Sequence, residues 1–476
     1  MANRHSAGAV VLVLALVGPA LAGAPEPIRM ALHPAAAPTP ALRYHLLPQL
    51  YEMTPGNAAE RYKQAIEAAQ KVRKAGSPEG EIKTWLELLP AELPRAKARK
   101  LLGRYQEVFR LADRAARCET CDWGFAERLR QKGITADVPE IQDMRLITNL
   151  LALRARLNVV EGHIEPALRA LQTGFAAAKH VGEADTLIGS LAGIAVGESM
   201  TRELGWLVCQ PQAPNLYWAL TDLPRPFLDL RRPLQAERLA AYGTFPGLLE
   251  VARDWEAGAL SPAQIKTGVG RFFKYIVEMD TPDARTHMAL KIRARHAAAK
   301  EALIAEGRPR ERVEKWPHAQ VALLHAMRRF DRFLDELLKW QSFPYWEARE
   351  GLARAGRQQR EARVEQLFPK GDTPALPVAV MIVPGINRLF PSRAALDRKI
   401  AALRCVEAIR LYAAAHGGRL PQALAEVKEV PVPADPMTGK PFPYRLDGNK
   451  ATLHAPPLDG DVPSNHTFTC ELTLKH

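Results

Sequence analysis

Cys118-Glu119-Thr120-Cys121 is the tightest grouping of reactive side chains in the sequence. A Cys-x-x-Cys pair performs redox chemistry when a strand precedes it and a helix follows. Here Tyr105 to Arg117 reads as helix, which leaves a bridge or a pair of inert thiols. A structural zinc needs four ligands, and no second Cys/His pair stands at metal spacing. The sequence has no His-Glu-x-x-His helix, no Gly-x-Ser-x-Gly elbow and no phosphate loop closing on Gly-Lys-Ser/Thr. Thr438-Gly439-Lys440 runs into Pro441 instead of a helix. His180, His325 and His416 fall singly on or beside predicted helices, where an imidazole is ordinarily a surface or satisfied group. Carboxylate pairs for glycoside hydrolysis meet only in space and cannot be chosen from 52 acids. Asp435, Asp447, Asp459 and Asp461 are oxygen donors, but Asp447-Gly448-Asn449 reads more simply as a hairpin turn. No catalytic, metal or cofactor residue is assigned, and no cofactor is expected.

The elements that would position such groups are mostly helices. Ala, Leu and Arg are abundant and aromatic residues make up 7% of the chain, a helix-favouring balance. Ala58, Ala59, Tyr62, Ala65, Ile66 and Ala69 share one face of a run that opens at Pro55-Gly56-Asn57. Ile141 to Val160 and Ile164 to Val181 form a pair split by Glu161-Gly162-His163. Leu187 to Val208 is apolar on nearly all sides, which predicts a central helix, and Gly189, Gly193 and Gly197 predict close helix packing. Ala319 to Trp340 is amphipathic, with Leu323, Leu324, Phe330, Leu334 and Leu337 broadly on one side.

The N-terminus reads as an export signal. Arg4, the apolar run Ala9 to Val17, and Ala20-Leu21-Ala22 follow the order that a signal peptidase recognises. The run is shorter than the ~20 residues that span a bilayer. Cleavage after Ala22 would leave a periplasmic or extracellular chain with no transmembrane helix. Formal net charge is +13, and residues 285–370 hold 19 Lys and Arg against 11 Asp and Glu. Outside the cytoplasm such an excess suits an anionic surface or polymer, not nucleic acid; a solvated Arg-rich helix surface is the plainer reading.

Near the end, a helix expected over Arg393 to Ala415 stops at Gly417-Gly418. Phe442 to Leu446 and Ala451 to His454 should pair around Asp447-Gly448-Asn449, and Phe468, Cys470 and Leu472 should share the buried side of a third strand. If that strand crosses near Leu403, Cys405 and Cys470 come within bridging range, Cα atoms about 4.4–6.8 Å apart. This order of parts, with His416-Gly417-Gly418-Arg419-Leu420-Pro421 and Asp435-Pro436-Met437-Thr438-Gly439-Lys440, resembles the soluble head of type II secretion major pseudopilins. The membrane helix and peptidase site of a working pseudopilin are missing from the segment before it. Gly103-Arg104-Tyr105 and Gly162 with Ile164, Ala167 and Leu171 resemble parts of tetratricopeptide helical hairpins, at 59 residues' separation instead of 34. Across the chain, Cys121-Asp122-Trp123-Gly124, Leu153-Arg154-Ala155-Arg156, His180-Val181-Gly182, Pro214 to Leu220 and Phe343-Pro344-Tyr345-Trp346 resemble a family of secreted bacterial helical proteins whose activity is uncharacterised. Tyr217 and Trp218 are the candidate recognition surface.

The expected fold is mainly α: a degenerate-repeat body of helical hairpins with a small C-terminal α+β module. The expected division is a signal over 1–22, an Ala/Pro-rich tether over 23–40, a hairpin region over 41–245, an Arg-rich helical region over 246–370, a linker over 371–391 and the module over 392–476. The expected role is that of a non-enzymatic, exported interaction or scaffold protein with a protein partner in the cell envelope. Two alternatives stand beside it: an accessory subunit of a secretion or envelope assembly that docks through the C-terminal module, and a hydrolase whose site is invisible in sequence.

Overall fold

The computed structural model describes residues 26–73, 78–254, 258–275, 282–367, 378–458 and 466–475. The expected signal, its cleavage site, and the loop with Asp459 and Asp461 lie outside them. The chain is mainly α, with a small α+β unit at its C-terminus. In order, the elements are β1 (Ile28–Leu32), β2 (Thr54–Asn57), α1 (Ala58–Arg73), α2 (Glu79–Glu87), α3 (Arg95–Gly103), α4 (Gln106–Ala115) and β3 (Cys118–Thr120). Then follow α5 (Phe125–Lys132), α6 (Pro139–Val160), α7 (Ile164–Gly182), α8 (Leu187–Val208), α9 (Tyr217–Thr221), α10 (Arg231–Gly243) and α11 (Leu248–Arg253). The remainder are α12 (Pro262–Tyr275), α13 (Pro282–Ala305), α14 (Arg310–Lys315), α15 (His318–Leu338), α16 (Tyr345–Leu367), α17 (Val378–Ala415), β4 (Tyr444–Asp447), β5 (Lys450–Ala455) and β6 (Phe468–Leu474).

Helix α8 is central, as its all-round apolar pattern predicts: it packs against α6, α7, α10 and α17. Its N-terminus is capped by Thr186, whose hydroxyl accepts the Gly189 N–H at 2.8 Å. The glycine spacing serves close approach. A Cβ on Gly193 would lie 2.3 Å from the Gly182 Cα of α7, and one on Gly197 would lie 2.8 Å from the Leu396 side chain of α17. Gly162, at φ +75°, turns the chain between α6 and α7. Among the described residues of the 41–368 stretch, the one sheet is the two-stranded parallel pair of β2 and β3.

The C-terminal sheet has the order β1-β6-β5-β4. The hairpin forms as expected, with β4 and β5 antiparallel around Gly448 at φ +60°. Phe468, Cys470, Leu472 and Leu474 take the buried side of β6. The fourth strand corrects the tether expected over 23–40. β1 lies parallel to β6, with Ile28 opposite Cys470 and Leu32 opposite Leu474. Alternation in Ile28-Arg29-Met30-Ala31-Leu32 puts Met30 and Leu32 into the core, and β6 supplies an edge that composition alone does not announce.

A second correction concerns the linker expected over 371–391. Helix α17 starts at Val378, well ahead of Arg393, and continues through Pro384 and Pro391. A proline inside a helix costs about 3 kcal/mol. Burial of Leu389, Phe390, Ala394 and Leu396 around Pro391 offsets that penalty. A third concerns the division into separate regions, because one contiguous apolar core runs from Met30 through α8 to Leu474.

Three buried arginines join distant segments across this core. Arg156 of α6 makes a two-pronged pair with Glu203 of α8, at 2.8 and 2.7 Å, and donates to the Trp85 and Leu88 carbonyls at the C-terminal end of α2. Arg398 of α17 holds Asp435 at 2.6 Å and the carbonyls of Pro456 and His466. Arg410 pairs with Glu407 at 2.9 and 3.0 Å and donates to the carbonyls of His33, Ala213 and Pro214. A buried ion pair persists only when such hydrogen bonds replace the lost water.

Candidate cleft

Among the described residues, a cleft of about 420 Å³ lies between the β3–α5 loop and the C-terminal end of α7. Its architecture starts at Asn57, the last residue of β2. The Asn57 Oδ1 accepts the N–H of Ala59 at 3.1 Å, in the first turn of α1, and that of Asp122 at 2.8 Å. Its Nδ2 donates to the Asp122 carbonyl at 2.7 Å, so one amide side chain fixes the β3–α5 loop as a backbone strand would. The Asp122 carboxylate accepts the Gly124 N–H at 2.8 Å, and Gly124 sits at φ +71°. A side chain at that φ would be strained, so Gly closes the turn.

That turn drives Trp123 inward. Its ring stacks on Tyr62 at 5.8 Å and on Phe125 at 6.0 Å. Its Nε1 donates to the His180 carbonyl at 2.9 Å. The Tyr62 hydroxyl meets His180 Nδ1 at 3.1 Å. The Cys121 thiol also points at the His180 carbonyl, 3.9 Å away. Two segments that stand out in the sequence, Cys121 to Gly124 and His180 to Gly182, thus meet at one place.

Burial, then the nearby Lys179 ammonium, pushes the His180 imidazole down to about 4. Burial, with the Asp122 carboxylate second, pushes the Cys121 thiol far above the ordinary thiol range. At neutral pH the cleft therefore holds a neutral imidazole and a protonated thiol, and only a thiolate is a strong nucleophile. Five carboxylates line the cleft (Glu119, Asp122, Glu183, Asp185 and Asp229) against the cations Lys179 and Arg232. Glu183 accepts from Lys179 at 2.5 Å and Asp185 from Arg232 at 2.5 and 3.1 Å. The guanidinium of Arg231 lowers the Asp229 carboxyl below the usual range.

The other sequence candidates lie elsewhere. Tyr217 is 1% exposed, which corrects its assignment to a recognition surface. Its hydroxyl donates to the Pro431 carbonyl, its ring meets Trp218 edge-on at 5.2 Å, and the Arg404 guanidinium lies 5.4 Å from its centroid. Trp218 packs, partly buried, against the small apolar cluster of Tyr217, Ala408, Leu411, Val427 and Val430. An aromatic pair beside proline is equally good at sealing a helix–loop joint as at binding. All five cysteines are free thiols, so neither candidate bridge is formed. Cys118 points at the Arg114 carbonyl and Cys405 at the Pro433 carbonyl, each 3.5 Å away. Asp435 is committed to Arg398. Among the described residues, no group of three or more His, Cys, Asp or Glu is placed to hold a metal ion, and no helix is long and apolar enough to cross a membrane.

In the sequence Asn57 and Tyr62 stand out only as a helix start and a helix-face residue, and nothing marks the carboxylates of the α7–α10 side. The legible signals were Asn57 at a helix start and the Asp-x-Gly turn around Trp123. Comparison of the chain with protein-family models, with curated proteins and with solved structures finds no match.

Proposed function

We propose that the protein is an exported, non-enzymatic interaction protein of the bacterial envelope, and that it recognises its partner at the cleft. The observation that carries this reading is the state of the two side chains best able to do chemistry there. His180 Nδ1 is engaged by Tyr62, and Cys121 is held as the thiol. Hydrolysis would also want a carboxyl kept protonated near neutrality. In the cleft, Glu183 and Asp185 face cations instead, and Asp229 is pulled the other way by Arg231. A fixed cavity with paired charges around an aromatic platform suits recognition. The accessory-subunit reading draws less support, because the face of α17 that would dock is already buried over much of Leu389 to Ala413.

A photo-crosslinking amino acid in place of Glu119, in cells that make the intact chain, tests the proposal. The expected result is one envelope protein adduct that is absent when the crosslinker replaces Asp447 on the far hairpin. The released partner should have its full mass. A partner recovered in cleaved form would favour the hydrolase alternative, and adducts common to both positions would reject the cleft. N-terminal sequencing of the envelope fraction should begin at Gly23; an intact Met1 in a cytosolic fraction would reject export.

A further inference from the structure

The cleft has a lip. Leu50–Glu52 forms a single 3-10 turn beside the lining residues Leu47, Pro48 and Met53. Leu50 is 81% exposed and Tyr51 83% exposed. The turn is fixed in place: the Glu52 carboxylate accepts the Gln49 N–H at 2.9 Å, Met53 N–H donates to the Leu50 carbonyl at 3.2 Å, and Gln172 Nε2 donates to the Leu47 carbonyl at 3.3 Å. Two large apolar side chains are therefore held out in water by an ordered turn. Scattered single apolar residues on a surface are commonplace, but a pair held in an ordered turn whose flanking residues line a cavity is the arrangement of a contact anchor.

The charge of the cleft selects the kind of partner. The whole chain carries a formal +13, yet five carboxylates line the cleft, and once Arg231 has paired with Asp229 from beside it, Glu119 and Asp122 remain in excess of the two lining cations. Both cations are already paired, Lys179 with Glu183 and Arg232 with Asp185. Among the described residues, Glu119 and Asp122 stand in no ion pair. A local inversion of sign in a basic protein repels nucleic acid and anionic lipid and attracts a cation. The lip adds a demand that a free metal ion does not meet, namely an apolar group to cover Leu50 and Tyr51.

We infer that the cleft and its lip dock an extended segment of a partner protein that carries a lysine or arginine next to an apolar residue. The cationic side chain enters toward Glu119 and Asp122, and its apolar neighbour lies on Leu50 and Tyr51. This inference rests on the recognition role proposed above and adds the chemistry of the partner.

Random dodecapeptides displayed on phage and selected on the purified protein provide the test. An enriched peptide is then synthesised and titrated by fluorescence anisotropy, and its footprint is read by hydrogen exchange. The expected result is enrichment of Lys or Arg beside a large apolar residue, with protection of residues 47–53 and 118–123. Glu119→Lys and the double variant Leu50→Ser/Tyr51→Ser should each weaken binding about tenfold or more. Both change exposed positions, so melting temperature and circular dichroism should stay at parental values. Rising ionic strength should weaken the parent much more than Glu119→Lys. Neutral or acidic peptides that protect the same two segments would overturn the partner chemistry while leaving recognition at the cleft standing. Peptides that protect other segments, or no enrichment over an unrelated helical protein, would overturn both.

Discussion

At the scale of single residues, the buried arginines carry consequences out of proportion to their number. Removing one partner of a buried pair strands the other charge, at about 3–5 kcal/mol, whereas replacing both by apolar groups is often near neutral. Glu203→Ala should therefore lower unfolding free energy by about that amount, and Arg156→Met with Glu203→Leu should recover much of it, as read by denaturant melts. If the double change is as damaging as the single one, the carbonyl contacts to Trp85 and Leu88 matter more than the pair. Glu237 makes a different prediction. Burial raises its carboxyl to about 7 despite the Leu187 N–H that it accepts at 2.9 Å. The folded value lies above the unfolded one, so the stabilising contribution is whole below about 4.5 and is lost as pH rises to about 7. The melting temperature of Glu237→Gln minus that of the parent should climb across that window and level off above it. A flat difference would show that the carboxylate is well solvated, and a falling one that the Leu187 N–H outweighs burial. The difference between variant and parent removes the opposing trend from His180 and His466, both depressed to about 4, whose contributions fade as pH falls below about 6.5.

At the scale of elements, the α7–α8 contact is set by glycine. With its Cβ position 2.3 Å from the Gly182 Cα, Gly193 has no room for a side chain and faces backbone that cannot swing away. Gly193→Val should cost at least the ~1–3 kcal/mol typical of overpacking, visible as a lower urea midpoint, while Gly103→Ala, with nothing within 4 Å, should be nearly silent. The repeat of glycine every four positions was legible as close helix packing; which neighbour it admits was not, since Gly182 and Leu396 come from two different helices. β1 shows the reverse case. Its five residues carry a strand alternation, but they sit in an Ala/Pro-rich stretch, and their partner β6 lies more than 400 residues along the chain. Leu32→Ala should cost about 2–5 kcal/mol, which a flexible tether would not predict.

At the scale of the whole molecule, the C-terminal unit is part of the core. Arg410 satisfies carbonyls of His33, Ala213 and Pro214, all outside residues 392–476, and β6 pairs with β1. A fragment of residues 392–476 should therefore lack the dispersed amide spectrum of a folded domain. A well-dispersed spectrum would restore the reading of an autonomous head. What the sequence alone determined are properties carried by neighbours along the chain: helical periodicity from α1 to α15, the hairpin at Gly448, the inward face of β6 and the central place of α8. Such patterns repeat within a few residues, so backbone sterics and amphipathic burial express them locally. Only the tertiary structure decided the start of α17, the edge strand β1, the interior position of Tyr217, and the meeting of Asn57, Tyr62, Trp123 and His180 around one cleft. Those features depend on contacts between segments tens to hundreds of residues apart, where burial and hydrogen bonding outweigh the local preferences that a sequence displays.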